Sequence, residues 1–523
     1  MKPKTPPVLN RRRAIQTTLA SPALLSMLPG LPALISSAAK QPNLLLLMSD
    51  QHRGDCMGAA GHPVMRTPHL DRIAQEGVRF SCAYSSTPTC TPARSALLTG
   101  LSPWRHGMLG YGRVAEKYEL EKPAALAQGG YYTFCVGKNH FHPQRQPHGY
   151  QGMLLDESGR AISPDFRSDY RSWFTCMAPT LDPDATGIGF NDYRSKPYVL
   201  PEFIHPTHWT GECAVRFLET YSQPQPFFLK VSFARPHSPY DPPQRFFDMY
   251  KDEEIPRAAV GAWAARYADG DPSNYNSWFG DMGEAQVRQS RQGYYGSVTQ
   301  VDEQIGRILE ALEKRHMLEN TLILYLSDHG DMTGDQNLWR KSYAYEPSAH
   351  IPMLLRLPGE LYDAPHGRVC SLPVEIRDIL PTLLDAASLP GAEQLDGKSL
   401  ISPAQGHEDG WREWIDLEHD ICYHPSNHWS ALTDGRMKYI YHARDGEEQL
   451  FNLEDDPHEI NDLASLPEHQ EALLLWRNRL IEHLSERGER FVVSGRLALR
   501  PDSYLYSPHY PNAQSSATSA KKS

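Results

Sequence analysis

Asn43-Leu44-Leu45-Leu46-Leu47-Met48-Ser49, followed at once by Asp50-Gln51, is the stretch on which the fold turns. An apolar run of strand length without polar alternation fits a strand covered on both faces, as in a parallel sheet between helices. Residues 133–136, 227–233 and 322–327 have the same character, rich in Leu, Ile, Val and Phe. Amphipathic stretches separate them at residues 70–77, 120–128, 209–221 and 298–314, so strand alternates with helix and an α/β sandwich is expected. Each strand runs directly into polar, reactive residues: Asp50-Gln51, Lys138-Asn139-His140, Arg235-Pro236-His237 and Asp328-His329-Gly330-Asp331. Ligand sites in open parallel sheets gather at these carboxyl ends.

Outward from that core, residues 374–387 read as another helix. After about Pro403 the composition changes to aromatic, strand-like pieces at 429–433 and 437–441, which predict a small C-terminal antiparallel subdomain. Residues 470–487 carry Leu473, Leu474, Trp476, Leu480 and Leu484 at helical spacing, a face for packing on it. At the other end, Arg11-Arg12-Arg13 precede a mostly apolar run over 14–35, and Ser37-Ala38-Ala39 offer a small-residue cleavage site. Pro22, Pro29 and Pro32 argue against a buried helix there. The expected division is an export signal over 1–39, a catalytic domain over 40–402, a subdomain over 403–500 and an extended or disordered tail over 501–523. The twin-arginine route is preferred and a plain secretory signal is the alternative; either places the protein in the periplasm or outside the cell.

The 523 residues hold 52 Lys and Arg against 63 Asp and Glu, a formal net charge of -11. That balance lacks the basic excess that general binding to nucleic acid or anionic membranes would favour, so an anionic substrate must meet locally placed cations. No run after residue 40 has the length of a membrane span. The eight cysteines form no Cys-x-x-Cys pair suited to zinc or redox chemistry, and only Cys90 has unusual neighbours.

Those neighbours are Cys90-Thr91-Pro92-Ala93-Arg94, then Ser95-Ala96-Leu97-Leu98-Thr99-Gly100. The segment resembles the signature of the formylglycine-dependent (type I) sulfatases of the alkaline phosphatase superfamily, with Ala93 where serine is commoner and Leu101 where arginine is frequent. The likeness runs from Asn43 to about Leu463 and includes Thr67-Pro68-His69-Leu70-Asp71, Ile379-Leu380-Pro381-Thr382 and Asp456-Pro457-His458-Glu459. It implies an alkaline-phosphatase-like sandwich with a large mixed, mostly parallel central sheet and a smaller C-terminal antiparallel sheet. It also implies that a formylglycine-generating enzyme oxidises Cys90 to an aldehyde, whose hydrate carries two hydroxyls on one carbon. One hydroxyl attacks sulfur and the other later expels sulfate, an exit that serine would not provide.

By the same resemblance Asp50, Gln51, Asp328 and His329, with the hydrate oxygen of residue 90, hold a divalent cation. Ca²⁺ is preferred for the oxygen donors, while Gln51 and His329 stand where many members have aspartate and asparagine and keep Mn²⁺ and Zn²⁺ as alternatives. Arg94 steadies the ionised hydrate. Lys138, Lys341 and His237 hold sulfate oxygens, Lys341 or His237 protonates the leaving alcohol, and His140 acts on the hydrate as base, with His142 nearby. The expected activity is hydrolysis of sulfate monoesters, preferably of sulfated carbohydrates. A phosphonate or phosphate diester hydrolase using the same nucleophile is the closest rival, and a non-catalytic carbohydrate-binding relative is the rival of another class. Oligomeric state is not written in the sequence.

Overall fold

The computed structural model describes residues 41–511 apart from Ile162 and Ala364. The export signal expected over 1–39 and residues 512–523 of the tail lie outside the described residues, while residues 501–511 of the tail are held against the catalytic region, the Leu109 N–H donating to the Leu505 carbonyl at 2.9 Å. Eight strands form the central sheet: β1 (Asn43–Asp50), β2 (Val78–Tyr84), β3 (Tyr132–Gly137), β4 (Gly152–Leu155), β5 (Phe227–Pro236), β6 (Thr321–Ser327), β7 (Met353–Arg356) and β8 (Arg368–Glu375), in the order β4-β3-β5-β1-β6-β7-β2-β8. β7 runs antiparallel to both neighbours and every other pairing is parallel. The sheet is therefore mixed and mostly parallel, as the sequence implied.

The unbroken apolar run of β1 is explained by burial on two sides. Leu44, Leu46 and Met48 join Leu322, Leu324 and Leu326 of β6 in one core, shared with Ala93, Ala96 and Leu97 of helix Cys90–Thr99. Leu45 and Leu47 point the other way, with Ile323 and Tyr325, onto Val301, Ile305 and Ile308 of helix Glu284–Lys314. Each such side chain withdrawn from water contributes about 1.5–3 kcal/mol. The neighbouring order β3-β5-β1-β6 has a further consequence: Lys138, His237, Asp50 and Asp328, far apart in sequence, stand at the carboxyl ends of adjacent parallel strands.

Two element boundaries differ from the expectation. The helix read over 298–314 begins at Glu284, because its first half packs through Tyr294 and Tyr295 against Tyr240 and Tyr250, without an aliphatic repeat to announce it. Residues 374 and 375 are strand, paired with Ala83 and Tyr84 of β2. A reciprocal cap between Glu375 and Asp378 then turns the chain through Ile376–Asp378 into helix Ile379–Ala386.

A second sheet of four antiparallel strands follows: β9 (Ile415–His419), β10 (Trp429–Thr433), β11 (Met437–His442) and β12 (Glu448–Asn452), in the order β12-β11-β10-β9. Helix Gln470–Ser485 covers it with Leu473, Trp476, Leu480 and Leu484 on Leu432, Tyr439 and Leu450. Leu474, expected on that face, is instead 51 % exposed. Buried Lys438 of β11 donates to Glu346 at 2.6 Å and Glu459 at 2.9 Å. No helix of the described residues is long and apolar enough to cross a membrane.

Candidate active site

β1 and β5 shift register after Ser49, so that Asp50 pairs with Pro236 and the Asp50 carbonyl accepts from His237 N at 3.0 Å. Gln51 then takes a positive φ of 72° while its N–H donates to Asp328 Oδ1 at 3.1 Å, tying the ends of β1 and β6 together. At the end of β3, Gly137 has φ 94°, and a Cβ there would stand 2.0 Å from the Ser232 carbonyl of β5. Glycine is required at this close approach, and the Lys138 N–H donates to the same carbonyl at 2.9 Å. His140, also at positive φ, is held by backbone donation to the Glu157 carboxylate just beyond β4.

Cys90 opens helix Cys90–Thr99, whose N-cap residue Thr89 gives the helix no side-chain bond. The Thr89 hydroxyl is engaged with Ser342 Oγ at 2.7 Å and His419 Nε2 at 2.6 Å. The positive end of the helix is thus left facing residue 90. Cys90 Sγ lies 3.1 Å from His329 Nε2 and 3.8 Å from Asp50 Oδ1. The donor atoms of Asp50, Cys90, Asp328 and His329 all fall within 4.8 Å of one another, every one of these residues buried. His329 Nδ1 donates to the Gly330 carbonyl at 2.9 Å, which leaves Nε2 as the ring nitrogen facing the cluster, the one a metal would take up on displacing a proton; burial lowers this residue's pKa, but Asp328 and Cys90 raise it on balance. Two carboxylates, one imidazole lone pair and the atom on Cβ of residue 90 make a donor set that fits a divalent cation.

Gln51 takes a connected position. Its Nε2 donates to Asp331, which also accepts from the Tyr240 hydroxyl, and its Oε1 accepts from Lys341 Nζ at 2.8 Å. A carbonyl oxygen has a second lone pair, so the same atom remains able to face a cation. Arg94 lies beneath the cluster, donating from Nε to Asp328 at 2.8 Å, from Nη2 to Asp50 at 3.1 Å, and from Nη1 to the Lys138 carbonyl at 2.6 Å and Ser232 Oγ at 3.2 Å. Its donors address the carboxylates and not residue 90. Lys138 pairs with the same Asp50 carboxylate.

The electrostatics follow from this crowding of charge in a dry site. Burial alone would raise the Asp50 pKa, but the neighbouring cations, Lys138 first and Arg94 with it, hold it well below the usual carboxylate range. Burial and Asp50 push the Cys90 thiol up, yet Lys138, Lys341 and His329 bring it down to about 7. His237 and His140 are held well below the ordinary histidine value, first by burial and then by Lys341 and by Lys138 respectively. His237 Nδ1 donates to the Ser238 carbonyl at 2.9 Å, and its Nε2 accepts from Lys341 Nζ at 2.7 Å. Lys341 Nζ is therefore the donor of this contact.

All ten residues singled out from the sequence meet at these strand ends. His142 is less engaged: its Nδ1 is buried without a hydrogen-bond partner. Four contributors were not foreseen: Ser232 beneath Arg94, Asp331 and Tyr240 behind Gln51, and Arg160, which reaches His140 and His237. Of these only Asp331 carried a signal, its place two residues after the Asp328-His329 pair.

Comparison with known proteins gives the same picture. The sulfatase family profile matches residues 42–389, and that of the C-terminal region of N-sulphoglucosamine sulphohydrolase matches residues 334–486. An arylsulfatase of Clostridium perfringens is 37% identical over 470 residues, covering 87% of this chain and 97% of the relative. A choline-sulfatase of Rhizobium meliloti is 32% identical over 445 residues, covering 82% and 83%. Among solved structures, the phosphonate monoester hydrolase of Agrobacterium radiobacter superposes with a TM-score of 0.72 at 25% identity, covering 88% of this chain and all of that one.

Proposed function

The chain belongs to the sulfatase family and hydrolyses sulfuric esters, and on that premise we propose that its nucleophile is a formylglycine made from Cys90, working beside a divalent cation on sulfated carbohydrates. The observation that carries the reading is the position of Cys90 Sγ, at the open end of its helix and within 4.8 Å of the donor atoms of Asp50, Asp328 and His329. A structural cysteine packed for its volume alone would sit among apolar neighbours.

The aldehyde hydrate at residue 90 would supply two geminal hydroxyls, one to attack sulfur and one to release sulfate. A cation held by Asp50, Gln51, Asp328 and His329 would add Lewis acidity toward the nucleophile and the sulfate oxygens; Ca²⁺ is our choice, with Mn²⁺ and Zn²⁺ as the alternatives. Arg94 fixes the Asp50 and Asp328 carboxylates from below, so that their other oxygens stay turned to the cluster. Lys138 and Lys341 face the developing negative charge, and because both are already in place, no reorganisation is needed when it forms. Lys341, the donor in its contact with His237, is the donor to the leaving alcohol, and His140, held well below the ordinary histidine value by burial and Lys138, is the base.

We further propose that residues 1–39 direct export, that residues 403–500 act as a subdomain beside the catalytic region, and that a formylglycine-generating enzyme matures the chain. The test is hydrolysis by the purified, matured protein: sulfate release from sulfated sugars or aryl sulfates is expected to exceed cleavage of a phosphonate monoester by orders of magnitude. A reversed preference would transfer the reading to phosphonate ester hydrolysis.

A further inference from the structure

Arg160 follows β4, outside any regular element, and reaches into the site. Its Nη1 lies 2.9 Å from His140 Nε2 and its Nη2 lies 3.3 Å from His237 Nε2. Among the described residues it has no carboxylate partner, and its guanidinium carbon lies 5.7 Å from the centroid of the Phe190 ring, in a chain whose net charge is -11. The same residue lines a neighbouring cavity of about 290 Å³ together with Arg167 and Arg171. No acidic residue is in that lining. Arg171 is paired with Asp184 at 2.6 Å, whereas Arg167 donates only to the Arg171 carbonyl and to Thr175 among the described residues.

Two features set Arg160 apart from the cations that face the reacting sulfate. Its acceptors are neutral imidazole nitrogens, weak partners for a guanidinium that is built for bidentate pairing with an oxyanion. The cavity it lines includes neither His140 nor His237 nor any residue of the Cys90 cluster, so it is separate from the place of the reacting ester, and its cations are Arg160, Arg167 and Arg171. We infer that Arg160 is a specificity-determining residue that binds a second anionic group, a sulfate or a carboxylate, carried by the leaving alcohol, so that the preferred substrates are saccharides with at least two negative charges. The inference rests on the sulfate-ester reading of the site. When such a substrate enters, the guanidinium exchanges its imidazole contacts for oxyanion contacts, and His140 Nε2 is released to accept a proton.

The experiment compares kcat/KM for three substrates: 4-nitrophenyl sulfate with one charge, an aryl sulfate bearing a ring carboxylate, and a monosaccharide disulfate. Wild-type protein is expected to prefer one or both doubly charged substrates, and which one identifies the second anion as carboxylate or sulfate. Arg160→Ala should cut that preference by roughly 10–100-fold, mainly through KM, the loss of one charge-assisted contact, while Arg160→Lys keeps part of it. Thermal denaturation of Arg160→Gln alongside Arg160→Ala establishes that the variants are folded. Equal losses on all three substrates, or a wild-type enzyme without preference, would overturn the inference and leave the sulfatase reading intact. Wild-type protein that turns over none of the three would overturn the sulfate-ester reading, and the inference with it.

Discussion

Gly137 is the position where a single methyl group should do the most damage to chemistry without touching a reacting atom. A Cβ built there stands 2.0 Å from the Ser232 carbonyl oxygen, whereas real Cβ contacts begin at about 3.0 Å, so β3 and β5 must separate by about 1 Å in Gly137→Ala. The backbone φ of 94° adds strain that an L side chain rarely tolerates. The displaced element carries Lys138, and the strand it moves from carries Ser232 and leads to His237. A misplacement of that size among positioned groups costs on the order of 10²-fold in rate, or about 2.7 kcal/mol of transition-state stabilisation. The expected result is a kcat/KM for an aryl sulfate lowered by roughly two orders of magnitude, with metal content retained because Asp50, Asp328 and His329 are untouched. Steady-state kinetics, elemental analysis and a melting curve on the same preparation measure all three. A folded Gly137→Ala enzyme within threefold of wild type would refute the claim that the β3–β5 register positions the catalytic lysine.

Other outcomes follow from particular contacts. Asp328→Asn breaks both the donor set and the Arg94 pair, and is expected to lower bound metal and reduce kcat by at least about 10²-fold, read by elemental analysis and sulfate release. Chelation should inactivate the enzyme and return of the cation should restore it; activity indifferent to prolonged chelation, with no metal found by elemental analysis, would exclude a functional ion. Lys438→Met removes the counter-charge that Glu346 and Glu459 share and should destabilise the fold by about 3–5 kcal/mol at pH 8 in urea denaturation. Burial already raises the Glu459 pKa against the pull of Lys438. A carboxyl with a raised folded pKa loses stability as pH climbs above the ordinary carboxylate range, so the deficit of Lys438→Met should shrink toward pH 5. Ile323→Ala empties a fully buried site between the sheet and helix Glu284–Lys314 and should lower stability by about 2–5 kcal/mol.

The sequence disclosed the site more fully than it disclosed the elements. Polar residues that end apolar runs, such as Asp50 after Leu44 to Ser49 and Asp328 after Leu322 to Ser327, are legible because a parallel sheet brings all such ends to one edge. The order of the strands along that edge was not legible, since it depends on crossovers through helices hundreds of residues apart. Helix Glu284–Lys314 was half hidden because Gly293, Tyr294, Tyr295 and Gly296 pack by shape against other aromatics and loops, without an apolar period. Val374 and Glu375 looked helical until the register with β2 and the Glu375–Asp378 cap claimed them. Arg160 was invisible for a different reason: in an irregular segment only the three-dimensional path decides where a long side chain ends. The orientation of Gln51 is likewise set from outside, by Lys341 and Asp331, so residue type alone did not reveal which end of its amide faces the cluster.

The most direct test is the mass of the tryptic peptide spanning residues 80–94, which holds both Cys82 and Cys90, taken from protein whose sulfate release has just been measured. The expected species is about 18 Da lighter than the unmodified peptide, the exchange of a thiol for a carbonyl, with fragmentation placing the loss at residue 90 and leaving the Cys82 thiol intact. Fully active enzyme whose residue 90 is still an alkylatable thiol would contradict it.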